Sequence, residues 1–531
     1  MIRGLVILLL MAGCSGPVFQ DPQALASMTL AWHMGAEPDT LNPITSTDVY
    51  SSRVNSFVSD TLIERDNKTL EWRPKMAERW EISPDHLQFT FHLREGIRWH
   101  DGHPFTVEDI LYSFDRIMDP QVASPHLRVY YQEIARLEKI DDRTVRFTYR
   151  RPYFMALEFC GTIPLVPKHL YDDRSNFNSH PLNRSPVGLG PYRFVSWKTG
   201  KHIVIERNED YWGKAIGRMP EIRKIRFEFV TDDTIALQVL KKGGLDFTGL
   251  RPIQWVRQTG SEKFNRRFSK IQFYTPSYSY IGWNARKPFF KDRRVRRAMT
   301  MLVNRKEILE KLNFGLGELV TGPFYFQSKD YDGAIDPIPY DPTAALKLLS
   351  QAGWRDPDGD GLLDRGGIPF QFQFLISSGS RFAERLGDIL KEDLRKVGIA
   401  MEIRKVEWAL FTQYLDQRNF DAVVLGWSLG LEQDPYQLWH SSQDARGSNI
   451  VGFSLPEADR LIEEGRMEFD RERRAGLYRH LHRIVHHEQP YTFLYTSPNL
   501  VALHRRFENV EVYPGGVDPL EWRVSKVYGD L

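Results

Sequence analysis

Between Phe370 and Trp427 the chain alternates strand-patterned and helix-patterned segments, and this alternation restricts the architecture more than any other feature. Phe370, Phe372 and Phe374 alternate with glutamine, the period of a strand buried on one face. Arg381 to Val397 then carries an amphipathic helical pattern ended by Gly398, and Ile399 to Val406 returns to a strand pattern. Phe420 to Trp427 (FDAVVLGW) is almost unbroken apolar, as expected for a central strand covered on both faces. Strand–helix–strand connections of this kind build sheets through crossover units. The first half is richer in strands and turns: Phe89, Phe91 and Leu93 alternate, as do Val145, Phe147 and Tyr149, and Ile225, Phe227 and Phe229. Thr106 with Asp109 makes a capping box ahead of Ile110, Leu111 and Phe114. Asp232 and Asp233 open an amphipathic run that stops at Gly243-Gly244. A chain of 531 residues is several domain-equivalents long. The prediction is α/β lobes with mixed sheets, joined by segments that cross between them more than once.

The N-terminus is set apart from that pattern. Arg3 is the only charge before Cys14, and the apolar run Leu5 to Met11 is too short to span a bilayer. The ending Leu10-Met11-Ala12-Gly13-Cys14 resembles a bacterial lipoprotein signal, which implies a signal peptide over residues 1–13 and lipid on Cys14. Residues 14–27 read as a tether, with Gly, two Pro and no apolar period. No later stretch approaches eighteen consecutive apolar residues. Of the two cysteines, Cys160 then has no partner, so the fold must stand without an internal disulfide. The balance of 71 basic and 69 acidic side chains leaves a formal charge of +2, so overall charge supplies no long-range reason to expect nucleic acid or an anionic membrane as partner.

Catalytic signatures are missing: there is no G-x-S-x-G elbow, no P-loop and no complete G-x-G-x-x-G. Gly188-Leu189-Gly190 is followed by Pro191, which has no N–H to offer a phosphate, and reads as a tight turn. His480, His482, His486 and His487 sit among Arg479, Arg483 and Glu488 and read as a solvated helix surface rather than a metal site. His100 and His103 flank Asp101-Gly102 ahead of Pro104, which reads as a turn. The basic run Lys291 to Arg297 reads as a solvated helical face. Asp356, Asp358, Asp360 and Asp364 occupy the first, third, fifth and ninth places of a calcium-type loop with Gly361 at the sixth; Gly367 stands at the twelfth, where a bidentate Glu belongs. A structural calcium site and a metal-free Asx-rich turn are both open there.

Several phrases in order resemble the extracytoplasmic solute-binding proteins of the oligopeptide/dipeptide class, family 5, the receptors of ABC importers. They are Glu37-Pro38-Asp39-Thr40-Leu41-Asn42-Pro43; Leu93-Arg94-Glu95-Gly96 through His100-Asp101-Gly102-His103-Pro104-Phe105-Thr106 to Asp109; and Gly188 to Tyr192 followed by Arg207-Asn208-Glu209-Asp210-Tyr211-Trp212. Asn284 with Val295 to Ala298, and Phe420-Asp421-Ala422 leading into Gly426-Trp427, continue the likeness. The resemblance implies a two-lobed, periplasmic-binding-protein-like α/β fold with an extra inserted domain. Carried over, the first lobe holds residues 28–66, 185–282 and 484–531, the inserted domain 67–184 and the second lobe 283–483, with the hinge near 281–284 and 482–490. It also implies that the lobes close over a ligand, that an extended peptide is held through its backbone as an added strand, and that the closed form is handed to a membrane permease.

The same resemblance places the ligand-contacting set at Trp427, Ser428, Leu429 and Gly430, at Asp48, Val49 and Tyr50, at Tyr278, Tyr280 and Asn284, and at Trp408. Members specific for short peptides carry an Asp where this chain has Gly430, and Asp434 is the nearby candidate for holding a ligand ammonium or for capping the next helix. A second departure is Leu189, where Thr is usual. The implied protein is a monomer at the periplasmic or outer face of the cytoplasmic membrane, with peptide and permease as partners, contact with the membrane through lipid alone, no nucleic acid, no cofactor apart from the open calcium question, and no enzymatic activity. Nickel, haem, sugar or another small organic remains an alternative ligand. A secreted hydrolase would need a nucleophile–base pair or close carboxylates in the cleft, and an adhesin or chaperone would keep the same fold.

Overall fold

The computed structural model describes residues 28–171, 174–445 and 447–525. The cysteine expected to carry lipid, Cys14, and the expected signal and tether lie outside them. Among the described residues no helix is long and apolar enough to cross a membrane.

Three sheets organise the chain. The largest runs, in spatial order, through Phe268–Phe273, Asn499–His504, Phe247–Gly249, Thr29–Met34, Lys224–Phe229, His202–Arg207 and Tyr192–Lys198. Thr29–Met34 is parallel to Lys224–Phe229 and Phe247–Gly249, while the outer pairings are antiparallel, so the sheet is mixed. Trp32 lies level with Phe227 and Phe247 and anchors one core with Phe57 and Trp522.

A second, five-stranded sheet has the order Ala400–Val406, Gln371–Ser377, Ala422–Ser428, Ser277–Trp283 and Tyr491–Phe493. The Phe370–Trp427 alternation folds as expected: Gln371–Ser377 is parallel to both Ala400–Val406 and Ala422–Ser428, with the helix Arg381–Arg395 as crossover. The third sheet is antiparallel, in the order Ala77–Ile82, Gln88–Leu93, Thr144–Tyr149 and Ile134–Asp141. Its Phe89, Phe91, Val145 and Phe147 are fully buried, against the helix Val107–Met118 and its Ile110 and Ile117. The expected capping box starts that helix, with the Thr106 N–H donating to the Asp109 carboxylate at 2.9 Å.

The crossings between the two larger sheets fall elsewhere than expected. Ser277–Trp283 pairs along its whole length with Ala422–Ser428, and Tyr491–Phe493 pairs with Tyr280–Gly282. The chain therefore changes sheet between Phe273 and Ser277, and again between Phe493 and Asn499, not at 281–284 and 482–490. The expected limits at 282/283 and 483/484 cut through a strand and through the helix Arg471–Glu488, both continuous elements.

The third sheet's core does not stop at that sheet. It is continuous with Tyr280, Trp439, Tyr478 and Tyr491 beneath the five-stranded sheet. Phe154 makes the junction: its N–H donates to the Arg466 carbonyl at 2.9 Å, and its ring lies beneath the Arg474 guanidinium, 4.2 Å away.

Candidate functional site

Ligand sites on α/β sheets form outside the carboxyl ends of parallel strands, where loops are free to vary while the sheet stays rigid. In the five-stranded sheet those ends present Ser377-Ser378, Glu407-Trp408 and Trp427-Ser428-Leu429 on one edge. Ser277, the antiparallel partner of Ser428, starts from the same edge. In the seven-stranded sheet the carboxyl end of Thr29–Met34 leads toward the helix Val49–Val58. The crossings join the two edges: the Leu429 N–H donates to the Pro276 carbonyl at 2.8 Å, and Asn499 Nδ2 donates to Thr275 Oγ1 at 2.9 Å.

The distinctive feature of this edge is an incomplete ladder. Gln371–Ser377 and Ala422–Ser428 pair only at Phe374 with Ala422 and Leu375 with Val423. Among the described residues, Val424 to Ser428 have no strand partner on that side. Gly426 and Ser428 are exposed and Trp427 is half-buried. An unpaired row of main-chain N–H and C=O groups is a template for one more strand.

The remaining expected contacts divide into surface and core. Trp408 is 60% exposed and stacks on Phe411, and Val49 is equally exposed. Tyr50 is half-buried. Asp48 caps the helix that follows: its carboxylate accepts the N–H groups of Tyr50 and Ser51 at 2.9 and 2.7 Å. Tyr278 and Tyr280 lie in the core, Tyr278 edge-on to Phe493 and Tyr280 stacked 3.8 Å from Tyr491 and 6.4 Å from Trp427. Burial pushes both phenols well above their ordinary range. They floor the Trp427 strand. Asn284 is fully buried and braces the turn before that strand, donating to the Phe420 and Arg418 carbonyls.

Gly430 is exposed, and a Cβ there would come 2.9 Å from the Glu432 carbonyl. Asp434 is committed within the protein. Its carboxylate accepts from Tyr153 Oη and Arg466 Nε, both at 2.9 Å, and from the Tyr436 N–H at 3.0 Å. The Arg466 guanidinium sits over the Tyr153 and Tyr436 rings at 4.8 and 4.3 Å. A cavity of about 240 Å³ opens beside this cluster, lined also by Glu133, Arg151, Glu463 and Met467.

Sequence reasoning missed the partners that tie this region to the rest of the molecule. Glu432 accepts from Arg65 at 2.6 Å and from Arg474 at 2.5 Å, and Arg65 also reaches Glu158 at 2.7 Å. Burial alone would lower the Arg65 guanidinium, but Glu158 and Glu432 lift it above its ordinary value. The local signal is Glu432-Gln433-Asp434, two carboxylates in three residues at a strand exit; their arginines lie far away in sequence.

Two other clusters resolve differently. Ligand atoms of Asp356, Asp358 and Asp360 come within 4.8 Å of one another on the surface, while Asp364 lies outside the group and pairs with Pro369 in a short ladder. The Asp356 carboxylate accepts the N–H groups of Gly359 and Gly361, the hydrogen bonds of an Asx-type turn. The histidine-bearing helix is not a uniformly solvated surface. His482 is fully buried, its Nδ1 accepting the Asp332 N–H and its Nε2 donating to Thr321 Oγ1, both at 3.0 Å, which leaves neither nitrogen for a metal.

Comparison with known proteins bears on the whole chain. Residues 71–449 match the family model of the bacterial extracellular solute-binding proteins, family 5 (middle). The oligopeptide-binding protein AppA of Bacillus subtilis is 29% identical over 529 residues, covering 96% of this chain and 95% of the relative. The haem-binding protein A of Haemophilus influenzae is 28% identical over 87% of this chain and 85% of its own. Among solved structures, AppA from Bacillus subtilis in complex with a nonapeptide superposes with a TM-score of 0.80 at 28% identity, over 94% of this chain and 99% of that one. NikZ from Campylobacter jejuni in complex with Ni(L-His) shares the fold with a TM-score of 0.79 at 24% identity, over 93% and 99%. The two-lobed α/β architecture and a family match over residues 71–449 place this chain among the bacterial extracellular solute-binding proteins of family 5.

Proposed function

We propose that the protein is the lipid-anchored receptor of an ABC importer, which captures extended peptides between its lobes and delivers them, chemically unchanged, to a permease. The observation that carries the peptide reading is the open main-chain edge from Val424 to Ser428. A strand added there is held by backbone hydrogen bonds, which every peptide offers whatever its side chains. The exposed Trp408 ring supplies apolar contact beside that strand. AppA, whose structure was solved with a nonapeptide, supports the same class of ligand. The lobes close by rotation about the segments Tyr274–Pro276 and Leu494–Pro498, and ligand shifts the population toward the closed form.

A hydrolase reading has less support. Ser442 Oγ does lie 2.8 Å from His440 Nδ1, with Glu463 3.3 Å from Nε2. That Nδ1 also accepts the Ser442 N–H at 3.1 Å, the geometry of a helix cap. The test of the proposal is mass spectrometry of ligands released by denaturing freshly purified protein, followed by calorimetric titration of one recovered peptide. A mixture of peptides is expected, with affinity that changes less than about threefold on side-chain exchange and falls at least tenfold on N-methylation of a central amide. Recovery of haem or nickel without peptide would replace the ligand class, and turnover of the peptide would replace the receptor role.

A further inference from the structure

The edge of the seven-stranded sheet opposite the candidate site carries an excess of positive charge. Thr29–Met34 and Lys224–Phe229 start there in register, Phe247–Gly249 starts there after Asp246, Phe268–Phe273 starts there after Arg267, and Asn499–His504 ends there ahead of Arg505 and Arg506. The contacts are direct. Arg506 Nη2 donates to the Thr29 carbonyl at 2.6 Å, Arg267 Nη1 to the Lys241 carbonyl at 2.9 Å, and the Arg505 N–H to the Arg267 carbonyl at 2.8 Å. A groove of about 350 Å³ runs between Thr29, Arg226, Gly243, Arg267 and Arg506.

Several acidic groups on this edge are paired, while Glu206, level with Lys224 across the ladder, has no ion-pair partner among the described residues. Asp246 holds Arg506 through both carboxylate oxygens, Glu228 holds Arg226, and Glu262 holds Arg266. Lys224, Lys241, Lys242, Arg267 and Arg505 have no ion-pair partner among the described residues, and Lys224, Lys242 and Arg505 are exposed. Against a formal charge of only +2 for the whole chain, five cations without an ion-pair partner on one edge, with Glu206 opposite one of them, are a local concentration rather than a reflection of composition.

Met28, the first described residue, lies at this same edge. The Met28 carbonyl accepts the N–H groups of Arg223 and Lys224 at 3.0 and 3.3 Å. On the proposed lipid anchor, Cys14 lies fourteen residues upstream of Met28. On that anchor, the edge carrying Met28 is the part of the described fold nearest in sequence to the bilayer. Cations there attract anionic head groups over a Debye length of about 8–10 Å, and a lipid chain combined with a basic surface anchors better than either alone. We propose that this edge is a membrane-facing surface that binds the phosphates of anionic phospholipids and turns the carboxyl-edge ligand site toward the aqueous side. The orientation rests on the anchor proposed above; the lipid affinity of the face does not.

The test is co-sedimentation of the chain beginning at Ser15, which lacks any lipid, with vesicles of phosphatidylcholine alone or with about 30% phosphatidylglycerol. At 50 mM NaCl the bound fraction is expected to be at least fivefold higher on the anionic vesicles, and to fall to the neutral level at 500 mM. K224E/R267E/R505E should abolish the difference, with the milder K224Q/K242Q as a second variant in case the first fails to fold. K306E/K347E/K391E makes the same charge change on the second lobe and should leave binding intact. Equal binding to both vesicle types, no effect of either face variant, or preference for a single-stranded oligonucleotide over vesicles would overturn the inference. The mass of the mature N-terminus reports separately on Cys14. An unmodified Cys14 with anionic-vesicle binding intact would remove the anchor and keep the face; lipid on Cys14 with no vesicle preference would do the reverse.

Discussion

His100 and His482 each use both ring nitrogens inside the fold. His100 Nε2 donates to the Gly190 carbonyl at 2.9 Å and its Nδ1 accepts the Gly188 N–H at 3.1 Å, while His482 is held by Thr321 and Asp332. Both are therefore neutral, and burial lowers each to about 4 from 6.5. A depressed histidine contributes stability that is complete above 6.5 and lost as pH falls through about 4, because the unfolded chain takes up protons the native one refuses. Asp330 opposes them: burial raises its carboxyl to about 6, so its contribution is present below 3.8 and lost as pH rises through 6. The three together leave a net uptake of about one proton on unfolding between pH 4 and 6, a slope of roughly 1.4 kcal/mol per pH unit. Urea midpoints should hold level from pH 8 to 6.5 and then fall. His482→Asn should flatten the fall and Asp330→Asn should steepen it; an unchanged slope in both would show that other groups control the window. The glycines pinned by His100 are tested separately. A Cβ on Gly188 would lie 1.9 Å from the Val58 carbonyl and one on Gly190 would lie 2.4 Å from that of Phe57. Gly188→Ala should cost about 3 kcal/mol, read as a lowered urea midpoint.

At the scale of elements, what could be read from sequence is what local pattern encodes. The Phe420–Trp427 run folds as the strand Ala422–Ser428, and the amphipathic stretch from Arg381 folds as a helix to Arg395, because side-chain period and a terminating glycine specify both without reference to partners. Gly188-Leu189-Gly190 was legible as special but not for the right cause: neither glycine has positive φ, and both are needed for close approach to the end of the helix Val49–Val58. The sheet that Ser277–Trp283 joins was not legible, since its partner strand lies about 150 residues away and either lobe could have accepted its alternating tyrosines. His482 was misread because the arginines on either side of it, Arg479 and Arg483, face outward while its own side of the helix packs inward. In the candidate site the strand ends were legible and the split between surface and core was not: Tyr280 and Trp408 are both aromatic, and only the packing separates them. That separation gives a test. Trp408→Ala should cost no more than about 1 kcal/mol, since the ring is mostly exposed and loses only its stacking on the buried Phe411. Peptide affinity should fall at least fivefold in calorimetry, and an unchanged affinity would remove Trp408 from the site.

At the scale of the whole molecule, the closure proposed above is resisted or favoured by whatever the five-stranded sheet and its helices touch on the other side. Arg65 precedes the four-stranded sheet in the chain, Glu158 and Tyr153 follow it, and Glu432, Asp434, Arg466 and Arg474 follow the strand Ala422–Ser428 of the five-stranded sheet. The side chains of Arg65 and Glu432 are 17% and 21% exposed, so their attraction is screened less than that of a surface pair while each still keeps some water. On the hinge closure proposed above, these contacts would favour the arrangement described here without reference to ligand, and rotation about the crossings would break them. Glu432→Gln keeps the shape of the side chain and removes the charge that Arg65 and Arg474 share. Weakening the closed form by about 1–2 kcal/mol lowers apparent ligand affinity by about 5- to 30-fold, because ligand must first draw on a smaller closed population. The same variant should raise the radius of gyration in X-ray scattering without peptide and return to the wild-type value at saturating peptide. Arg293→Ala breaks an ion pair with Glu488 between two helices that both lie in the chain between the strands Ser277–Trp283 and Tyr491–Phe493 of the five-stranded sheet, and should change neither quantity. If Glu432→Gln weakened binding with scattering unchanged at every peptide concentration, the ion pairs would shape the ligand site directly and would have no part in closure.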